Sequence, residues 1–187
     1  MARKTKEDAL ATRDSIIDAA EQLFVVQGVS HTTLQHIATA AGLTRGAIYW
    51  HFEDKAALFN ALMERAKSPL ESSFHVLDNP DPQDPLTDLR DSIVAVFRLT
   101  VEDKRARCAF EIATLKMEFV EEMNAVRSKR MQMQSEWMAR TEGLIGIGMA
   151  HGLLKPGVTP KVVALGLFAI VDGLLRAWLL DQQAFDL

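Results

Sequence analysis

The sequence predicts an all-α protein, and three observations support this. Apolar residues recur at helical spacing, whereas β-branched or aromatic residues rarely alternate with polar ones. Six prolines and ten glycines in 187 residues leave long stretches without a helix breaker. A hydrophobic fraction of 48% with 25% charged residues is enough for a buried core and typical of a folded globular chain.

Apolar residues at helical spacing predict where each helix lies, and glycines and prolines predict where it ends. The first helix has an apolar stripe from Ile16 to Phe24 and stops at Gly28. Thr33 is a candidate N-cap for a second helix over 34–41, a third runs over 45–50, and a fourth begins near Asp54. Three prolines within 78–85 predict a loop. Further helices are predicted over 86–101, 104–116, 120–151 and 159–180.

Cysteine content and the two ends of the chain suggest a compartment. The single Cys108 cannot form an internal disulfide, and the charged N-terminal residues lack the apolar stretch of a signal peptide. The apolar stretch 162–180 approaches membrane-spanning length but carries Asp172 and Arg176 in its middle. We therefore expect a cytoplasmic protein without a membrane partner, and a buried helix over this stretch.

The charge is unevenly distributed. The net charge is −4, yet residues 1–67 hold eight basic and eight acidic residues, so the whole excess of acid lies beyond them. No acidic residue occurs from Gln22 to Phe52, a window that contains Arg45 and three histidines. A polyanion can therefore approach this window without repulsion from like charge.

Residues 33–55 have the parts of a helix-turn-helix. Ala38 is small where two helices would cross, Gly42 permits a tight turn, and Leu43 with Ile48 can fill the space between the helices. The third helix would then lie in a major groove about 12 Å wide.

The third helix offers hydrogen-bonding groups and little else. Arg45 can form two hydrogen bonds to a guanine edge, and Gly46 keeps the helix slim. Tyr49, Trp50 and His51 can contact phosphates, sugars or a thymine methyl. Lys55 is expected to offer a bare ammonium to a phosphate, and Arg3 with Lys4 a basic arm.

An ordinary helical bundle is the alternative for this region. In that case Tyr49, Trp50 and Phe52 would be buried core aromatics. Each residue alone favours the bundle, whereas the small-residue crossing, the turn glycine and the acid-free window together favour DNA binding.

The stretch from Gly28 to Phe59 resembles the DNA-binding domain of the tetracycline-repressor family, above all in Thr44-Arg45-Gly46-Ala47-Ile48-Tyr49-Trp50-His51-Phe52. The resemblance implies a helix-turn-helix DNA-binding domain over 1–53 and a ligand-binding and dimerisation domain over 54–187. It implies a homodimer on double-stranded operator DNA, released by a small-molecule inducer. By the same similarity the DNA-contacting residues are Thr33, Thr44, Arg45, Gly46, Tyr49, Trp50, His51 and Lys55.

The segments 1–6, 44–52, 117–119 and 168–173 more narrowly resemble the repressors of multidrug efflux pumps. Family members commonly carry a further helix after the one over 159–180, and the last two helices form a four-helix bundle between subunits. This sequence stops at Leu187, so either it is truncated or the remaining helices carry more of the dimer interface.

A multidrug sensor needs a deformable, mainly apolar pocket. Methionines such as Met117, Met138 and Met149 suit this, although each alone is more typical of core. The family's pocket corresponds here to Ile93, Val96, Phe97, Phe110, Thr114, Trp137, Phe168, Val171 and Asp172. Asp172 either pairs with Arg176 one turn later or faces the ligand cavity. Ligand entry is expected to shift the fourth helix and to separate the DNA-binding domains of the two subunits, the reading heads.

Other functions are less well supported. No metalloprotease, paired-cysteine metal or phosphate-loop motif is found, so neither an enzyme nor a cofactor is predicted. The glycines at 143, 146, 148 and 152 do not fit a dinucleotide fingerprint and instead favour close helix packing. Cys108, beside three basic residues, is either inert or a redox sensor. A regulator that senses an endogenous metabolite or acyl signal would have the same front half.

Overall fold

The fold was analysed in a computed structural model that describes residues 6–70, 76–78, 80–81, 83–118, 120–155 and 157–187. These ranges contain α-helices, short 3-10 helices and turns but no β-strand, so the all-α prediction is confirmed. The proposed basic arm, Arg3 and Lys4, lies outside the described residues.

The described residues form eight α-helices. They are α1 (Lys6–Gln27), α2 (Leu34–Ala40), α3 (Arg45–Tyr49), α4 (Lys55–Lys67), α5 (Pro85–Glu102), α6 (Lys104–Leu115), α7 (Asn124–Ala150) and α8 (Pro160–Leu180). Several predicted bounds match these and the others differ by at most four residues. The largest difference is at the start of α7, where the 3-10 helix Glu121–Met123 occupies the first predicted turn.

Side-chain caps explain where several helices begin. The hydroxyl of Thr33 accepts a hydrogen bond from the His36 amide at 3.1 Å, while His36 Nδ1 accepts from the Thr33 amide at 3.4 Å. The Thr159 hydroxyl accepts from the Val162 amide at the start of α8. Thr33 is the cap that the sequence predicted. Thr159 was predicted as the first residue of the last helix and is instead its N-cap.

The chain folds as two compact units. The first contains residues up to Ala66 together with Cys108–Arg127, and the second contains Lys67–Arg107 and Ser128–Leu187. The boundary between these units therefore does not fall at residues 53 and 54, because α4 packs into the core of the first unit up to Ala66.

Each unit has its own hydrophobic core. In the first unit, Phe24 and Phe59 lie with their ring centroids 6.4 Å apart among buried aliphatic residues of α1 to α4. In the second unit, Leu144 and Ile145 of α7 pack with Leu89 of α5 and Ala164 of α8. Gly148 confirms the expected close packing at one position, because a Cβ there would lie only 3.1 Å from Leu86 Cδ2.

Helix α8 does not match the prediction of a buried helix. Only Ala164, Trp178 and Leu179 are buried, and apolar residues such as Val162 and Ile170 are 56% and 59% exposed. The helix is long and apolar enough to cross a membrane by length and composition, with 17% of its most apolar window buried. The prediction fails because the second unit covers only one side of a helix that is apolar nearly all round.

The buried Thr141 provides a test of the second core. Thr141 is fully buried, and among the residues that the structure describes no group forms a hydrogen bond with its Oγ1, so the hydroxyl lost its bonds to water without replacement there. We expect Thr141→Val to raise the free energy of unfolding by about 1 kcal/mol. Urea denaturation measures the change.

Thr100→Val is the matched control, since Thr100 is equally buried but its Oγ1 donates to the Val96 carbonyl at 2.8 Å. This variant should gain no stability. Equal losses in the two variants would show that the Thr141 hydroxyl is satisfied in solution.

Candidate nucleic-acid interface and ligand cavity

The turn between α2 and α3 sets the direction in which α3 points. The Leu43 amide donates to the Ala38 carbonyl at 2.8 Å. Gly42 has a φ of +67°, a left-handed backbone conformation that is strained for residues with a side chain. Ile37, Ala38 and Ile48 are fully buried, and Leu43 packs against the same core. One face of α3 is therefore anchored by Ile48.

The other face of α3 lies in solvent. Thr44, Arg45 and Gly46 are exposed, Tyr49 is 48% exposed, and Trp50 is 89% exposed. His51 is half-buried. A tryptophan exposed to this extent is unusual on a surface that binds nothing, because its large apolar ring gains free energy by leaving water.

Of the three aromatic residues that a plain helical bundle would bury, Tyr49, Trp50 and Phe52, Phe52 alone is buried. Phe52 is buried, and the Arg13 guanidinium carbon lies 4.9 Å from the centre of its ring. Tyr49 and Trp50 do not enter the core. Arg45 instead lies over the ring of Tyr49, with 5.9 Å between its guanidinium carbon and the ring centre, so the two exposed side chains support each other.

Thr33 and Thr44 are placed at helix starts. Both residues are exposed and each hydroxyl caps its helix, Thr33 at α2 and Thr44 at α3, where it accepts from the Ala47 amide at 3.3 Å. Their side chains thus stand at the N-terminal ends of the two helices, where backbone amides favour negative charge.

Lys55 is not the bare cation that was expected. The residue is 7% exposed, and Nζ donates to the carbonyls of Val29 and Thr32, at 2.9 Å each. It also forms an ion pair with Glu122. A buried ammonium is costly unless its protons are bonded, and here the protein supplies those bonds in place of a phosphate.

A polar cleft of about 410 Å³ lies beside the exposed face of α3. Arg45 and Tyr49 line it from α3, Lys55 from the start of α4, and Glu53 and Glu122 add acidic groups. The acid-free window of the sequence therefore borders carboxylates from the residues that follow it.

A small apolar cavity of about 170 Å³ lies in the second unit. It is lined by Ser92, Ile93, Val96, Trp137, Phe168 and Val171. The rings of Trp137 and Phe168 lie 5.8 Å apart at 53° and form an aromatic wall. Ser92 Oγ donates to the Leu89 carbonyl at 2.8 Å, so the hydroxyl is already bonded.

Five of the nine predicted pocket residues are thus brought together, and Ser92 was missed. Its spacing of four from Val96 on α5 could have identified it, because residues four apart share a helix face. The lining of this cavity does not include Phe97, Phe110, Thr114 or Asp172, all of which are half-buried. Among the described residues no ion pair joins Asp172 to Arg176.

The methionines do not form one pocket. Met123 is fully buried in the first core, Met138 and Met149 pack in the second, and Met131 is 60% exposed. The described part of the chain contains no group of three His, Cys, Asp or Glu side chains placed to hold a metal ion.

Comparison with known families matches both parts of the chain. Residues 16–62 match the model described as bacterial regulatory proteins, tetR family, and residues 84–187 match the C-terminal region of MAATS-type transcriptional repressors.

Individual relatives agree with the family models. The transcriptional repressor BepR of Brucella suis is 39% identical over 185 residues, which cover 99% of this chain and 88% of that protein. The crystal structure of NalD, the secondary repressor of the MexAB-OprM multidrug efflux pump in Pseudomonas aeruginosa, gives a TM-score of 0.87 at 36% identity, covering 97% of this chain and 90% of NalD. A complex of SmeT with triclosan gives a TM-score of 0.79 at 32% identity, covering 94% and 84%.

Proposed function

The chain belongs to the TetR family of bacterial transcriptional regulators, and from this membership we propose that it represses a multidrug efflux operon. It binds operator DNA as a homodimer and leaves it when a small hydrophobic or amphipathic compound enters the second unit. The solvent-exposed face of α3, with Arg45, Tyr49 and Trp50 pointing outward, is the observation that carries the proposal. Such a regulator works in the cytoplasm, where the DNA is.

The DNA-binding step uses the exposed face of α3. Arg45 reads a guanine edge, and Tyr49, Trp50 and His51 contact sugars, phosphates or a thymine methyl. Gly46 allows the helix backbone to approach the base edges. Thr33 and Thr44, exposed at the starts of α2 and α3, contact the phosphate backbone. We assign this reading function to residues 1–53 and sensing and dimerisation to residues 54–187.

The efflux assignment comes from the relatives. NalD and SmeT are both named as repressors of multidrug efflux pumps, and each covers more than nine-tenths of this chain. The apolar cavity agrees with a ligand of the triclosan kind, a compound with two aromatic rings. Pockets for drug-sized ligands measure roughly 300–1,000 Å³, so a cavity of about 170 Å³ has to enlarge on binding.

We propose that a second copy of this chain packs against α8 and covers its exposed apolar residues. Exposed apolar residues lie along this helix, among them Val162, Leu165, Ile170, Leu174 and Leu180. An apolar patch of this extent is unfavourable on an isolated monomer, and a two-fold axis would bring the same helix of the partner onto it.

The inducer changes the distance between the two reading heads. Two heads on successive major grooves must lie about 34–36 Å apart. The residues of α4 and of α6 are divided between the two units. Enlargement of the cavity displaces these helices, and a displacement of either one changes the distance between the two DNA-binding heads. Only a ligand that binds the separated state more tightly has this effect.

Arg45→Ala tests the reading face. We expect operator affinity to fall about 5- to 150-fold, since a two-bond contact to guanine contributes roughly 1–3 kcal/mol of discrimination. Fluorescence anisotropy with a duplex from the promoter beside the gene measures the change. Arg98→Ala, at an exposed arginine of α5, is the control and should leave affinity unchanged. Equal affinities of both variants would remove Arg45 from the interface.

Ile170→Glu tests the dimer. A buried carboxylate without a partner is costly, so the dimer dissociation constant should rise by about tenfold or more. Analytical ultracentrifugation measures the mass of the unmodified protein and the variant. Val26→Glu is the matched control, because Val26 is 82% exposed but lies on α1. A variant that stays dimeric would exclude α8 as the contact.

Phe168→Ala tests the cavity. Loss of the aromatic pair with Trp137 should raise the triclosan concentration for half-release of the operator about 2- to 12-fold, at unchanged operator affinity. Phe185→Ala is the control, since Phe185 is outside the lining of this cavity. The assignment is wrong if both variants respond to triclosan like the unmodified protein.

A further inference from the structure

We infer that Lys55 acts on operator affinity from inside the protein, as a positioning residue: with Glu122 and Ser30 it ties the loop before α2 to the connector between α6 and α7. This inference rests on the proposed DNA-binding function and adds the residues that hold the reading head in place. The loop is residues 28–33, and the connector is the described residues 116–118 and 120–123.

Lys55 holds the loop through backbone atoms. Its ammonium donates to the carbonyls of Val29 and Thr32 at 2.9 Å and approaches that of Ser30 at 3.5 Å. Because carbonyl positions report the path of the backbone, a cation shared by these carbonyls closes the loop around the start of α4. A methylene chain without the ammonium would leave the carbonyls without this donor.

The connector is bound to the same loop at two points directly and at a third through Lys55. The Val29 amide donates to the Lys116 carbonyl at 3.0 Å, and Ser30 Oγ donates to Glu118 Oε2 at 3.1 Å. Glu122 then completes the set through its ion pair with Lys55. The Glu122 side chain is 55% exposed whereas that of Lys55 is 8% exposed, so the carboxylate reaches inward to a buried cation.

The loop passes any displacement on to the reading face. Thr32 Oγ1 donates to the Gly28 carbonyl at 2.7 Å, and Gln27 Nε2 donates to Thr32 Oγ1 at 3.0 Å, so the loop is braced internally. It carries the Thr33 cap of α2, and α2 carries α3 through the tight turn. Lys55 and Glu122 line the same cleft as Arg45 and Tyr49.

The connector also follows a helix that both units share. Lys104–Arg107, the first four residues of α6, belong to the second unit, and the rest of α6 with the connector belongs to the first. A displacement of α6 that begins in the second unit therefore reaches the loop at residues 28–33 through the bonds of Lys55, Glu122 and Ser30.

The sign of one substitution distinguishes this inference from simple electrostatics. A carboxylate near DNA repels phosphates, so neutralising Glu122 should tighten binding if charge alone mattered. If Glu122 positions the head through Lys55, the same neutralisation should weaken binding.

The experiment measures operator affinity over about 50–300 mM salt for Glu122→Gln, Lys55→Met and the control Glu121→Gln. Glu121 lies in the same 3-10 turn and loses the same charge. We expect the first two variants to bind about 3- to 10-fold more weakly at every salt concentration. The slope of log affinity against log salt should stay that of the unmodified protein, because no phosphate contact is lost. Glu121→Gln should bind unchanged or slightly more tightly.

The opposite pattern overturns the inference. If Lys55 contacts a phosphate, Lys55→Met lowers the slope by about one, and Glu122→Gln leaves binding unchanged or tightens it. Circular dichroism shows whether each variant is folded. Should Lys55→Met not fold, Glu122→Gln against Glu121→Gln still decides by sign.

Hydrogen exchange separates failure of the tie from failure of the proposed function. Amides of residues 28–33 should exchange faster in Glu122→Gln than in Glu121→Gln, without any DNA present. Equal exchange in the two variants overturns the tie. A protein that ignores duplex DNA but shows this difference keeps the tie and loses the DNA-binding proposal.

Discussion

The burial of one side of a five-residue helix is the constraint on which the reading surface depends. A helix as short as Arg45–Tyr49 is not stable by itself, because the cost of nucleation exceeds the few hydrogen bonds it forms. Ile48 in the core and the Thr44 cap hold it instead. The same anchoring leaves Tyr49 and Trp50 in water, so stability and exposure of the reading face have a common cause.

Burial is uneven over the rest of the molecule, and this has functional meaning. The first unit has a continuous core around Phe24 and Phe59, whereas only Ala164, Trp178 and Leu179 of α8 are buried. The second unit also holds a cavity with an aromatic wall, and no group in the described part of the chain bonds the Thr141 hydroxyl. A tightly packed head and a less completely packed sensing body agree with a protein in which a ligand and a second copy complete the second unit.

Charge serves two different purposes in the head. Arg45 is exposed and free to read a groove, while Lys55, only ten residues later, is buried and bonded to carbonyls and to Glu122. The difference lies in what each cation meets: α3 turns Arg45 outward, and the start of α4 turns Lys55 under the loop at residues 28–33. Two basic residues that look alike in the sequence thus have different surroundings, solvent for Arg45 and the protein's own carbonyls and Glu122 for Lys55.

The sequence by itself determined the helices, the Thr33 cap and the family, because Thr33, Gly42 and the apolar stripe of α1 act through neighbours within one or two turns. It also identified five lining residues of the cavity through the family pattern. Only the tertiary structure decided the place of Lys55 and the exposure of α8. These depend on contacts between residues far apart in the chain, such as Lys55 with Glu122, and no local pattern records which distant group will meet a given side chain.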